Sequence, residues 1–269
     1  MSEEQGTTMS NEPILSVRHL VKRFGGQTAV NDVNMDIYPG EVEGLVGDNG
    51  AGKSTLIKCV SGVHHPDGGH IFFEGREVHF SRPIEARKAG IETIYQDLAL
   101  AGNLDVSANI FLGREVKRRY LGGAVKTLDE KHMLSESGNI LDDLGIHIPQ
   151  MRTEIEKLSG GQRQAVAIAR AISWNARRMC MVEPTNNLGV PEQRKVMELI
   201  ATLKEKGVPV IFISHTLPDV FAATDRIVIM HRGRKVAEMP SADTDTTEVV
   251  EYMVGAREQG VAEVSTATA

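Results

Sequence analysis

Between residues 47 and 55 the chain reads Gly47-Asp48-Asn49-Gly50-Ala51-Gly52-Lys53-Ser54-Thr55, the Gly-x4-Gly-Lys-Ser spacing of a phosphate-binding loop. Three glycines let the backbone wrap closely around an anion, because glycine tolerates positive φ. The exposed N–H groups of such a turn, backed by the N-terminus of a following helix, then face the phosphates. Lys53 has the reach and charge for the β- and γ-phosphates, and the Ser54 hydroxyl suits Mg2+. The competing reading is a glycine-rich turn without a ligand. A second stretch, Leu158-Ser159-Gly160-Gly161-Gln162, runs into an apolar-periodic helix and offers another anion-binding N-terminus; a plain glycine N-cap is the alternative. Glu183 and His215 follow short apolar runs, at the carboxyl ends of strands where ligands bind in open α/β sheets. Phe24 stands 23 residues before Gly47, where an aromatic could stack on a purine ring; a lone phenylalanine more often belongs to a core.

The elements that must hold these groups can be read in order. Residues 1 to 12 read as a disordered tail. Strands are expected at Ile14 to Val17 and Met35 to Tyr38, and an extended segment, Glu41 to Val46, leads into the loop. A helix, Thr55 to Val60, leads out of it. His70 to Phe80 reads as a hairpin turning near Glu74-Gly75, followed by a helix from Pro83 to Ala89 that Gly90 stops. Ile91 to Tyr95 is a short strand ending at Gln96. Residues 97 to 158 are more charged and poor in strand signals, and they read as a helical insert. Its helices are expected at Val106 to Leu112 and Leu128 to Leu144, with Met133, Ile140, Leu141 and Leu144 on the apolar face of the second. After the Ser-Gly-Gly turn, Ala165, Ile168, Ala169 and Ile172 share one helical face. Arg178 to Val182 and Pro209 to Ile213 read as buried strands, Pro191 to Lys206 as an amphipathic helix, Asp225 to Met239 as a closing hairpin and Thr247 to Val254 as a terminal helix.

The whole chain bounds what these groups can serve. Its 269 residues suit one large domain, or a core with a subdomain. With 41% hydrophobic and 25% charged residues, the composition is that of a soluble globular protein. A formal charge of −6 and the lack of a basic stripe argue against a nucleic-acid partner; the basic run from Arg114 to Tyr120 reads as a solvated face. Cys59 and Cys180 stand far apart in apolar settings and read as buried free thiols. The acidic, polar start does not read as a secretory signal, and no apolar run approaches the length of a membrane span.

Two anion-binding turns, a glutamate and a histidine at strand ends, and Gln96 before a helical stretch thus stand in a fixed order. That ordered set resembles the ATP-binding subunits of ABC transporters, over about Ile14 to Gly255. The resemblance implies a single nucleotide-binding domain over residues 13 to 255. Its fold would be α/β, a RecA-like P-loop core with an antiparallel β subdomain and a helical subdomain over about 97 to 158; residues 256 to 269 would form a loose tail. It implies ATP and Mg2+ as ligands. Phe24 would stack on adenine and Gly47 to Thr55 would be the Walker A loop. Gln96 would sense the Mg2+ site and the permease, and Ser159, Gly160, Gly161 and Gln162 would contact the γ-phosphate of ATP held by an opposite subunit. Glu183 would polarise the attacking water and His215 would contact the γ-phosphate. The phrases GLVGDNGAGKSTLIK, IYQDLAL, NIFLGRE, LSGGQRQAVAIARA, LGVPEQRKV and FISHTLPDVF, with Gly189, are similar to single-cassette ATPases of bacterial monosaccharide importers of the fructose or ribose type. The partners implied are a transmembrane permease, a second ATP-binding subunit (a homodimer) and, indirectly, a periplasmic sugar-binding protein. The place implied is the cytoplasmic face of the bacterial inner membrane.

One position departs from that pattern. The family has an aspartate immediately before the catalytic glutamate, holding Mg2+ through its bound water; here it is Val182. Losing an outer-shell metal partner typically costs about 10–100-fold in affinity or activity. A slow motor, a nucleotide-binding partner that leaves hydrolysis to another subunit, and an otherwise active enzyme into which the valine was introduced are all compatible with a valine there. Arg178 is a second oddity, opening a strand expected to be apolar.

Overall fold

The computed structural model describes residues 12–94, 98–120, 125–148, 150–173, 178–182 and 190–257. Among them the strands form three sheets. The largest has six strands: β3 (Val42–Gly47), β6 (Ile91–Ile94), β9 (Arg178–Val182), β10 (Val210–Ile213), β11 (Arg226–His231) and β12 (Arg234–Pro240). Their order is β12-β11-β3-β10-β9-β6, parallel throughout except for β12, which returns antiparallel against β11. A four-stranded antiparallel sheet, ordered β2-β1-β4-β5, is built from β1 (Leu15–Phe24), β2 (Gln27–Ile37), β4 (Gly68–Phe73) and β5 (Arg76–Glu77). The expected α/β core with an antiparallel β unit near the N-terminus is therefore what the chain forms.

The large sheet is buried on both faces, as a parallel sheet must be. Along β10, Val210 and Phe212 belong to one core, Ile211 and Ile213 to the other. Along β11, Ile227 and Ile229 alternate with Val228 and Met230 in the same way. This period of two sends successive side chains to opposite faces. On one face pack α3 (Val106–Ile110), α5 (Gly160–Ser173), α6 (Val190–Glu205), α7 (Leu217–Ala223) and α8 (Thr246–Val254), through Ile110, Val166, Ile168, Leu199, Ile200, Val220 and Val249. On the other face lie α1 (Lys53–Val60), through Leu56, Ile57 and Val60, and α2 (Pro83–Ala89), through Ala86, together with the antiparallel sheet, through Leu20, Val33 and Ile37. Cys59 is a buried free thiol, as read from its apolar setting, and burial pushes its pKa up to about 11.

Several elements differ from the sequence reading. The stretch read as a helical insert contains a two-stranded antiparallel sheet, β7 (Lys117–Tyr120) with β8 (Val125–Leu128). The basic run is solvated as read, with Arg114, Lys117 and Arg118 exposed, and from Lys117 on it forms β7. Lys117, Arg118, Lys126 and Thr127 carry no apolar periodicity, so the pairing left no mark in the pattern. Leu128 closes β8 rather than opening a helix. α4 begins after it, at Glu130–Asp143, where Asp129 caps the N-terminus by accepting from His132 N. Met133, Leu141 and Leu144 are buried as expected, and Ile140 packs against them partly buried. α3 ends at Ile110, short of Leu112. α7 was not anticipated: it has barely two turns and opens on Leu217-Pro218 straight after His215. β1 and β2 are longer than the apolar runs suggested, because their outer ends are exposed and polar. Their pairing carries register shifts between Val17 and Arg23 of β1.

Candidate nucleotide site

Because β3, β6, β9, β10 and β11 are parallel, their carboxyl ends share one edge of the sheet. β3 ends at Gly47 in the phosphate loop, and β10, its neighbour, ends at Ile213 with Ser214 and His215 next in the chain. β9 lies beside β10 with Val182 opposite Ile213, so Val182 closes a central strand at that same edge. Ligands of open α/β sheets bind at this edge.

The loop has the shape an anion needs. Gly47, Gly50 and Gly52 all have positive φ, at 150°, 80° and 102°. A side chain at Gly47 would stand 2.3 Å from Met230 O, and one at Gly52 2.4 Å from Ala29 O. Glycine at these two positions is therefore a packing requirement as well as a conformational one. Lys53 opens α1 and folds back across the loop, donating from Nζ to Gly47 O (2.6 Å) and Asp48 O (3.0 Å). Asp48 Oδ1 accepts from Asn49 N at 2.7 Å. α1 has no side chain capping its N-terminus, and Ser54 is exposed in its first turn. A helix N-terminus of this kind favours an anion.

Asn49, Gly50, Ala51, Gly52, Lys53, Ser54 and Thr55 line a cleft of about 440 Å3 whose other walls are Phe24, Gln27, Ala29 and Ile213. That volume falls in the usual range of small-molecule sites, about 300–1,000 Å3. Phe24 is 46% exposed, so it is not a core residue, and it stands at the rim of the loop's own cleft. Gln27 and Ala29, at the start of β2, were missed in the sequence; only the Gly25-Gly26 turn that folds β2 back on Phe24 hinted at them.

Ser159 caps α5. Gln162 N donates to Ser159 Oγ (3.3 Å), and Ser159 N donates in return to Gln162 Oε1 (3.0 Å). This is a reciprocal capping box, and it replaces the glycine cap weighed from the sequence. The turn does not join the cleft of the phosphate loop. Gly161 and Gln162 line a separate cavity of about 350 Å3 with Leu144, Ile146, Lys195 and Leu199. His215 is exposed beyond β10, where Thr216 N donates to the buried Ser214 Oγ at 3.1 Å and shapes the turn. Gln96 and Glu183 lie outside the described residues, as does the side chain of Val182. Among the described residues no group of three or more His, Cys, Asp or Glu side chains could hold a metal ion. Mg2+ does not require one: it binds through one or two protein oxygens, with phosphate and water completing its shell.

The ABC transporter family model matches residues 30–186, which include the phosphate loop, the Ser159 turn and Glu183. The chain belongs to the ABC transporter family. This ABC chain is 44% identical over 252 residues to the fructose import ATP-binding protein FrcA of Rhizobium meliloti, covering 93% of this chain and 97% of that protein. It is 47% identical over 240 residues to the xylose/arabinose import ATP-binding protein XylG of Sulfolobus acidocaldarius, covering 89% and 93%. Among solved structures it is similar to cbiO1 from Clostridium perfringens, part of the ABC transporter complex cbiONQ, with a TM-score of 0.75 and 26% identity over 91% of this chain and 96% of that one. The ABC cassette fold is thus shared over nearly the whole chain.

A group that sequence reasoning missed sits on β3 itself. Glu43 is fully buried and accepts from Arg226 Nη2 at 2.5 Å. Arg226 also donates to Asp36 O, pairs with Glu41 and Glu238 at 3.4 and 3.2 Å, and stacks 5.2 Å from the Tyr38 ring. It therefore pins the strand that feeds the phosphate loop to β2, β11 and β12. Burial pushes Glu43 up to about 8 against the opposing pull of Arg226.

Proposed function

We propose that this ABC chain is the ATP-binding, ATP-hydrolysing motor subunit of a bacterial importer for a monosaccharide. The observation that carries the proposal is the full-length identity with fructose and xylose/arabinose import ATP-binding proteins, at 44% and 47%. The cleft supports the nucleotide half of the reading. ATP would lie with its phosphates on the loop amides and Lys53 and its adenine against Phe24. Ser54, with Gln96 and the phosphate oxygens, would hold Mg2+, which supplies charge neutralisation on the β- and γ-phosphates. Glu183 would polarise the attacking water, and His215 would contact the γ-phosphate. The water oxygen forms the new bond to the γ-phosphorus as the bond to the bridging oxygen breaks, leaving ADP and phosphate. Ser159, Gly160, Gly161 and Gln162 would act on the ATP of a second subunit, which fits their separation from this chain's own cleft.

The remaining partners follow from that reading. Among the described residues no helix is long and apolar enough to cross a membrane. In an importer the sugar would pass through a transmembrane permease. A cleft of about 220 Å3 at the end of β6 is lined by Arg87, Glu92, Thr93, Leu112 and Arg170. It is the surface that the permease would press. A periplasmic binding protein would deliver the sugar on the far side, with this subunit on the cytoplasmic face. Val182 favours a second reading, in which the chain binds ATP and a partner subunit hydrolyses it.

Uptake of labelled fructose, ribose and xylose by the native host, with and without the chain, tests the function. Uptake of at least one of them is expected to fall without the chain. The wild-type chain is expected to restore it and Lys53→Ala to fail. Unchanged uptake of all three would contradict the proposal.

A further inference from the structure

Phe24 does not stand alone at the rim of the cleft. The His64 ring meets it edge-on, with centroids 5.1 Å apart and planes 72° to each other. Lys22 Nζ stands over the Phe24 ring, 5.4 Å from its centroid, with the two side chains on the same side of β1. The segment carrying His64 is fastened at both ends. Val63 N and His64 N both donate to Lys58 O at the end of α1 (2.9 Å each). Asp67 N donates to Val21 O (2.8 Å), while the Asp67 carboxylate accepts from Arg23 N (2.5 Å) and Lys22 Nζ (3.2 Å). The strap from Val63 to Asp67 thus ties the far end of the phosphate-loop helix to the strand that bears Phe24.

An exposed phenylalanine side chain samples more than one rotamer, and stacking on it must first select one. Edge-to-face contact with His64 favours a single rotamer before any base arrives. We infer that His64 is a positioning residue for the base site: it holds Phe24 against the cleft so that the adenine meets a pre-set ring. This inference rests on the proposed stacking of adenine on Phe24. Burial, with Lys58 and Lys22 nearby, lowers the pKa of His64, which keeps the ring neutral at the pH of the cell and suits it to an aromatic contact. The interaction belongs to the base alone, so the phosphates should not feel it.

The test is calorimetric binding of Mg-ATP and of magnesium tripolyphosphate to the full chain, beside Phe24→Ala, His64→Ala and His64→Phe. An aromatic pair contact corresponds to a change of about 2- to 12-fold in a binding constant. His64→Ala is expected to weaken ATP by a factor in that range and to leave tripolyphosphate within twofold; His64→Phe is expected to restore ATP. An ATP affinity unchanged in His64→Ala while Phe24→Ala weakens it would overturn the positioning role and spare the stacking. Equal loss of ATP and tripolyphosphate in His64→Ala would make the residue a structural support of α1, and would also overturn the inference. If Phe24→Ala leaves ATP unchanged, the stacking fails and the inference with it.

Discussion

A methyl group at Gly52 would meet Ala29 O at 2.4 Å while the backbone holds φ at 102°. Gly52→Ala is therefore expected to cost about 1–3 kcal/mol in backbone strain alone, more with the clash, and to displace the loop from its anion-binding shape. Urea unfolding should show a lowered midpoint, and ATP binding should weaken more than that loss of stability explains. A midpoint within error of wild type would mean the loop relaxes freely. The same glycines made the loop legible in the sequence, because only a required positive φ or a close backbone approach keeps three of them at this spacing. Phe24 was legible as a candidate through its place before the loop. Its partner His64 was not, because 40 residues of chain separate two rings that touch only after β1 and the strap pair.

Among the elements, α5 and β3 make opposite points. Ser159 is read as a ligand of the opposing subunit's nucleotide, yet within the chain it serves as the N-cap of α5. The two roles separate in Ser159→Asp. Aspartate caps as well as serine does, whereas alanine costs about 1 kcal/mol. Ser159→Asp should thus unfold at the wild-type temperature, but its charge should repel a γ-phosphate and suppress ATP-dependent dimerisation in sedimentation runs. Dimerisation at the wild-type level would remove Ser159 from the site. On β3, Glu43 has its carboxyl pKa raised from 4.5 to about 8, so the folded chain holds a proton that the unfolded chain releases. Its contribution is fully present below pH 4.5 and is lost as pH rises through about 8. The stability of wild type relative to Glu43→Gln is expected to fall across that window in urea titrations; a difference that stays flat with pH would mean Glu43 remains ionised beside Arg226. Periodicity read the apolar strands and the long helices well. It missed β7 and β8, whose residues alternate nothing, and α7, too short to show a period. It also passed over Glu43, an acid in a strand whose neighbours are wholly apolar.

Across the whole molecule, one parallel edge gathers the phosphate loop, the end of β10 and the end of β9, and the chain's own Ser159 turn opens on another cavity. On the proposed reading, a cleft so built would bind nucleotide alone and complete its ring of contacts only against a second subunit, as a motor that couples closure to a permease requires. The one break in that account is Val182, at the end of a central strand, because a valine side chain can accept no hydrogen bond. Steady-state Mg-ATP hydrolysis by the purified chain, beside Val182→Asp and the Lys53→Ala blank, meets the central claim most directly. The account predicts turnover above the blank in the chain as written, raised about 10–100-fold by the aspartate. Turnover at the blank level, with or without a rescue by aspartate, would contradict the claim that this chain is itself the motor.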